Sequence, residues 1–277
     1  MHNFRFMRCK QKSLSASKYN MSNFPFFLCQ PCFNMPLCYN FIVNNVQGAQ
    51  KMIKKENIKS YIHYSMSVSG GFFGVYAILN HLDIFASSQT SNFIHIFASL
   101  FGRNWYEMLF RLGAALLYIS AIVLSSLLVK RTRLNMRLIS IGVNAAAALI
   151  CTFTPPTVNN IVALYPIFFC MAMQWCIYNG AEGYACSSIF STNNIKQTAS
   201  SLTEYFCDKD KKHLHKARFF GMTLIFYHVG VIIGYISCRL LASRGCWICI
   251  FPLIVSAMLV LYDMKIEKTS ISEIAVP

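Results

Sequence analysis

Hydroxyl and amide side chains cluster twice in this chain, in the same order. Ser87–Ser99 reads SSQTSNFIHIFAS, and Ser188–Ser200, 101 residues later, reads SIFSTNNIKQTAS. Five of thirteen positions are identical without a gap: Ser87/Ser188, Asn92/Asn193, Ile94/Ile195, Ala98/Ala199 and Ser99/Ser200. Thr90/Ser191 and Ser91/Thr192 are similar, and Gly113 and Gly221 align further on, past an insertion that carries the CDKDKKH run. Neutral donors and acceptors of this kind can satisfy unwound backbone or coordinate a polar solute at little desolvation cost. On that reading Thr90, Asn92, Ser191 and Asn193 line a substrate site. The plainer readings are a capped helix start on the surface and chance similarity among small polar residues.

Other candidates are polar residues inside apolar stretches. Asn144, Gln174, Asn179 and His228 are of this type, and an ionisable or amide group at membrane depth is a functional-site hypothesis by default. Asn179 and His228 join the substrate-site set; a lone His in an apolar helix is otherwise satisfied by an interhelical hydrogen bond. Glu182, one of ten acidic residues, is expected to pair with Arg218 or Lys196, or to lie solvated in a loop. Glu107 and Arg111 form an i,i+4 pair, with Arg111 reaching into a cavity as the sharper alternative. Gly70/Gly74 and Gly230/Gly234 are small-xxx-small pairs that let helices approach closely. The mixed-charge run Asp208–Arg218 reads as a solvated loop able to touch anionic lipid. No Walker-type loop, HExxH pair or Gly-x-Ser-x-Gly elbow occurs. The expectation is therefore no catalytic residue, no metal, no cofactor and no enzyme.

The elements that must position these groups follow from composition. Of 277 residues 55% are hydrophobic and 13% charged, against roughly 25% charged in an ordinary soluble domain. Lipid, which needs no charged surface, explains that deficit. The net charge of +15 is placed between apolar segments, which argues against nucleic acid. Six apolar segments recur, at about Tyr61–Asn80, Met108–Val129, Met136–Phe153, Val158–Tyr178, Phe219–Leu240 and Cys246–Tyr262, each long enough to cross the hydrocarbon as a helix. The first is the weakest, diluted by His63 and several serines. Trp105, Tyr106, Trp247 and Tyr262 lie near segment ends, where amphipathic rings settle.

Basic residues orient the segments. With six spans, only Arg103, Arg111, Arg239 and Arg244 of the 25 Lys and Arg fall on one side. The positive-inside rule then places both termini in the cytoplasm. The expected fold is all-α: a polytopic membrane protein of about six transmembrane helices, with two inverted three-helix repeats at about 61–153 and 158–262 within a transmembrane domain 58–264. Three spans per unit is odd, so the second unit is inverted, a build common in secondary transporters. Residues 265–277 form a cytoplasmic tail.

The first 57 residues are basic and without clear period, and are expected to be a disordered extension. Met52 is an alternative start. Phe24–Val43, broken by prolines, makes a poor span, and no signal peptide stands out. Cys29 and Cys32, with Cys38, have a spacing zinc could use if Cys9 or His2 folded back. The remaining thiols read as small buried hydrophobes rather than a disulfide framework.

At Thr90-Ser91-Asn92 after Gly70-Gly71-Phe72-Phe73-Gly74, and at Ser191-Thr192-Asn193 after Tyr178-Asn179-Gly180-Ala181, the sequence resembles the YoaK family of bacterial multipass membrane proteins, a family of unknown function. The resemblance covers about Tyr61–Tyr262. It implies two copies of a T-G-N-type motif, each after a Gly-rich helix. Two departures stand out: the motif glycine is Ser91 in one copy and Thr192 in the other, and Gly74 stands where the family commonly has an aspartate. The expected function is transport of a small polar or ionic solute, in an inner membrane, with lipids and a second copy of the chain as partners. The alternatives are a non-transporting scaffold or sensor subunit, and an intramembrane enzyme using His228 or Glu182.

Overall fold

The computed structural model describes the backbone of residues 35–81 and 84–274. Residues 1–34, with Cys9, Cys29, Cys32 and His2, lie outside them. The chain divides into two compact units, Met1–Gln47 and Gly48–Pro277; the sites described below belong to the second. Helix α1 spans Met35–Asn80, so regular structure begins well before the expected boundary at residue 57. There follow α2 (Gln89–Phe101), α3 (Trp105–Arg131), α4 (Met136–Phe153), α5 (Asn160–Ala163), α6 (Tyr165–Ile177), a two-residue hairpin β1 (Gly180–Ala181) and β2 (Tyr184–Ala185), α7 (Thr192–Asp208), α8 (Lys211–Leu241), a 3₁₀ segment (Ala242–Cys249) and α9 (Ile250–Ile274). The all-α expectation holds, the hairpin aside.

Local chemistry sets the helix ends. Asn104 accepts from the Glu107 amide to start α3, Asn135 from Arg137 and Leu138 to start α4, and Asp210 from Lys212 to start α8. Glu107 in the first turn of α3 and Lys130 and Arg131 in its last complement the helix dipole. Pro166 sits in the first turn of α6, where its missing N–H is not needed.

Among the described residues, three stretches are long and apolar enough to cross a membrane: Trp105–Arg131, Met136–Phe153 and Lys211–Glu267. The third is not one rod. Ala242, with φ 50°, ends α8, and Ser237 Oγ donates to the Gly245 carbonyl at 2.7 Å as the chain folds back. Tyr165–Ile177 is a shorter apolar helix.

Side-chain contacts fix the directions. Tyr64 stacks on Phe226 with centroids 5.4 Å apart, Val68 meets Gly230, and Asn80 donates to Cys238, so α1 and α8 run parallel. Tyr165 donates to the Phe110 carbonyl at 2.8 Å, and Tyr118 neighbours Cys176, so α3 and α6 also run parallel. Helix α4 runs antiparallel to α6 through Tyr178 to the Arg137 carbonyl, Asn144 to Gln174, and Cys151 to the Ala163 carbonyl. Helix α9 runs antiparallel to α1 in the same manner, with Ser256 on Ser65, Cys249 beside Ser69, and Tyr76 donating to the Ser243 carbonyl. Helix α2 packs on α3, and α7 on α8.

This arrangement puts α1 and α6 at the centre. Residues 62–74 of α1 are buried without a break, and α6 is buried over most of its length. The outer helices expose large apolar side chains such as Leu116, Val123, Ile150, Ile232 and Met258. The low apolarity of segment one therefore has a cause: over residues 62–74 α1 faces protein, with Ser65 and Ser67 bonded to carbonyls of their own helix, and not the apolar exterior.

The crossing of α1 and α8 depends on three glycines, and a fourth, Gly70, lets α1 approach the segment at Ser188. A Cβ on Gly70 would strike the Ser188 carbonyl, on Gly71 the Tyr227 carbonyl, on Gly230 the Val68 carbonyl, and on Gly234 the side chain of Val75 at 2.5 Å. Close approach, as read from the small-xxx-small pairs, is the role the geometry gives Gly70, Gly230 and Gly234.

Candidate functional site

A line of polar groups crosses the centre of the helix bundle. Asn144 of α4 donates from Nδ2 to Gln174 Oε1 of α6 at 2.6 Å. Gln174 Nε2 donates in turn to the Met66 carbonyl of α1 at 2.9 Å and to Ser188 Oγ at 3.1 Å. Ser256 of α9 donates to Ser65 Oγ at 2.9 Å. Asn144, Gln174 and Ser188 are entirely shielded from solvent. Periodicity explains why they converge: Asn144 and Gln174 sit on the inward faces of α4 and α6, among Ser140, Ala147, Ala148, Met171 and Cys170.

The line is not fully satisfied. Asn144 Oδ1, Ser140 Oγ and both ring nitrogens of His63 are buried without a hydrogen-bond partner among the described residues. His63 is 1% exposed and lies against the Phe219 ring, centroids 5.6 Å apart. Buried polar atoms are normally paired, and these orphans depart from that rule.

The six substrate-site candidates do not converge on this line. Thr90 and Asn193 are exposed, and Ser191 is half-buried. Asn92 is buried, donating to the Arg111 carbonyl at 3.1 Å where α2 meets α3. In the second run it is Asn194, not Asn193, that is buried, donating to the Ser187 and Phe190 carbonyls. Its Oδ1 faces Cys186 Sγ at 3.3 Å; burial pushes that thiol up to about 12, so it stays a protonated donor. One residue is about 100° of helix rotation, and the ungapped alignment is off by that much in burial phase. Asn179 is exposed, its carbonyl accepting from the Cys186 amide. His228 is exposed on the outer face of α8, its ring bonded to the Leu224 carbonyl at 2.8 Å. Of the wider set, Asn144 and Gln174 are on the line. Ser65 was missed, because serine in a helix carries no distinguishing spacing, and Ser188, in the bend before α7, entered only as the first position of the second motif.

Two charged groups also have settled positions. Arg111 is buried and paired to Glu107 at 2.9 Å, as the i,i+4 spacing predicts. Glu182 pairs with neither Arg218 nor Lys196; it accepts from Ser60 Oγ and lies 2.7 Å from His215 Nε2. Gly74 is buried against the Tyr227 hydroxyl, which a Cβ there would approach at 3.0 Å. No cluster of metal-ligating side chains occurs among the described residues.

No curated protein and no solved structure matches the chain. Residues 62–259 match the family described as "Protein of unknown function (DUF1275)". That span takes in the buried stretch of α1, the polar line and the start of α9, and the chain belongs to this uncharacterised family.

Proposed function

We propose that the chain is a six-span carrier of a small polar or ionic solute, built from two inverted three-helix units. The observation that carries this reading is the polar line through Asn144, Gln174, Ser188 and Ser65, with its unpartnered atoms, in the middle of the most deeply buried helices. Polar groups at that depth are costly, and those retained there commonly mark a substrate or ion path.

The contact pattern supports the paired units. Exchanging α1 with α6, α2 with α7, α3 with α8 and α4 with α9 turns the α1–α8 pairing into the α6–α3 pairing, both parallel. It turns the α4–α6 pairing into α9–α1, both antiparallel, and maps α2 on α3 onto α7 on α8. Helices α4 and α9, joined by Arg137–Asp263 at 2.8 Å, pair with each other across the axis. In this reading the end carrying Lys59, Lys130, Arg137 and Lys211–Arg218 faces the cytoplasm of a cell with an inner membrane.

The test is uptake into proteoliposomes across a panel of radiolabelled ions and polar metabolites, comparing wild type with Gln174→Ala. Uptake of one solute by wild type, reduced in the variant at equal insertion, supports the reading. No uptake of any solute by correctly inserted wild type sinks it.

A further inference from the structure

A second polar feature lies at the basic end of the bundle, away from the line above. A cavity of about 350 Å³ opens there between α1, the β1–β2 hairpin and the start of α8. Its lining includes Ser60, Tyr61, Tyr64, Glu182, His215 and Arg218. The volume is in the range of small-molecule sites.

The hairpin aims Glu182 into this cavity. Glu182 and Gly183 form its two-residue loop with φ of 55° and 78°, the primed turn geometry that favours Asn-Gly. A glutamate at left-handed φ is strained, and such strain clusters where a side chain's position matters. The carboxylate is largely buried, and one oxygen accepts from Ser60. The other oxygen, buried, makes no aligned hydrogen bond; only His215 Nε2 stands near it, on a side chain that is 62% exposed. The acceptor is thus covered by an imidazole that can swing away. Arg218, on the same wall, has no ion-pair or hydrogen-bond partner among the described residues. The aromatic face between them is held by Tyr64 on Phe219, centroids 5.8 Å apart.

A buried acceptor lacking a donor and an unpaired guanidinium in one small cavity are complementary to opposite charges on one ligand. We propose that this cavity binds a zwitterion carrying a primary ammonium and a phosphate or carboxylate, the ammonium displacing His215 from Glu182 and the anion engaging Arg218. An anion alone leaves Glu182 repelling it; an amine alone leaves Arg218 unpaired. The same chemistry occurs in free amino compounds and in ethanolamine lipid headgroups.

Purified full-length protein is titrated calorimetrically with phosphoethanolamine, ethanolamine and inorganic phosphate. Its thermal stability is measured in nanodiscs of phosphatidylethanolamine and of phosphatidylcholine, whose quaternary amine cannot donate. Binding of phosphoethanolamine at least about tenfold tighter than either half, the value of one charge-assisted contact, identifies a soluble ligand. Stabilisation by ethanolamine lipid alone, abolished in Glu182→Gln, identifies a headgroup. Arg218→Met weakens either. His215→Ala, which removes the competing imidazole, tightens binding; a merely structural histidine would not do so, and this variant serves if Glu182→Gln fails to fold. Inorganic phosphate binding as tightly as phosphoethanolamine, no response in either arm, or weaker binding by His215→Ala overturns the proposal. Binding is read without transport, so its failure is distinct from failure of the carrier reading.

Discussion

Asn144 and Gln174 meet side chain to side chain at 2.6 Å with neither reached by solvent, and they join α4 to α6 at the level where α6 also bonds to the α1 backbone. Gln174 is the hub, since its two amide hydrogens and its oxygen are all engaged. Gln174→Leu therefore strands the Asn144 amide, Ser188 Oγ and the Met66 carbonyl, and is expected to cost about 1–3 kcal/mol. Thermal unfolding in detergent measures this. The double variant Asn144→Ala/Gln174→Leu should cost less than the sum of the singles, because both remove one interaction. Strict additivity would mean the two amides act separately.

Gly230 lies against the Val68 carbonyl, whereas nothing comes within 4 Å of a Cβ built on Gly142. Gly230→Ala should force α1 and α8 apart and destabilise by roughly 1–3 kcal/mol. Gly142→Ala, in an exposed helical position, should stabilise by up to about 1 kcal/mol. The pair is compared by melting temperature, and equal effects would contradict the close crossing.

Asp263 is 2% exposed in its side chain and depends on Arg137 for its charge partner. Removing the cation leaves a buried carboxylate uncompensated, so Arg137→Met should cost about 3–5 kcal/mol. Asp263→Asn, which removes the buried charge itself, should cost less. A reversed order in chemical denaturation would show that the pair is not organised as described.

Asn194 and Asn193 are adjacent and chemically identical, yet only Asn194 is enclosed and bonded to the Ser187 and Phe190 carbonyls. Asn194→Ala should lower stability by about 1–3 kcal/mol, and Asn193→Ala should stay within about 0.5 kcal/mol of wild type. Melting temperatures of the two single variants check this, and a larger effect at Asn193 would restore the ungapped register of the two motifs.

His81, just past the end of α1, is held below the ordinary histidine value by burial, a hydrogen bond with Asn160 at 3.1 Å opposing this only in part. Its folded state therefore takes up a proton less readily than the unfolded chain. Stability from this residue is fully present above about pH 6.5 and is lost as pH falls below it, where the unfolded state binds the extra proton. Melting temperature should decline on acidification more steeply in wild type than in His81→Gln. Parallel profiles would remove His81 from the account.

Helix existence was written in the sequence, because apolar runs and their caps are local: α4 occupies the span expected of segment three, and Asn104, Asn135 and Asp210 mark real starts. So was the presence of amides at depth in α4 and α6. Three things required the tertiary structure. Composition made segment one the weakest span, but only packing shows that α1 is the central helix, where Ser65 and Ser67 bond carbonyls of their own helix and Ser65 accepts from Ser256. Alignment matched Asn92 to Asn193, but burial selects Asn194, because one residue of helical phase turns a side chain from core to surface. The partners of Ser188, the Met66 carbonyl and Glu182 lie 14, 108 and 122 residues away and became visible only in the fold. Local periodicity reports which face of a helix turns inward; which groups then meet depends on the direction and register of the neighbouring helix, and those are set by packing across the whole chain.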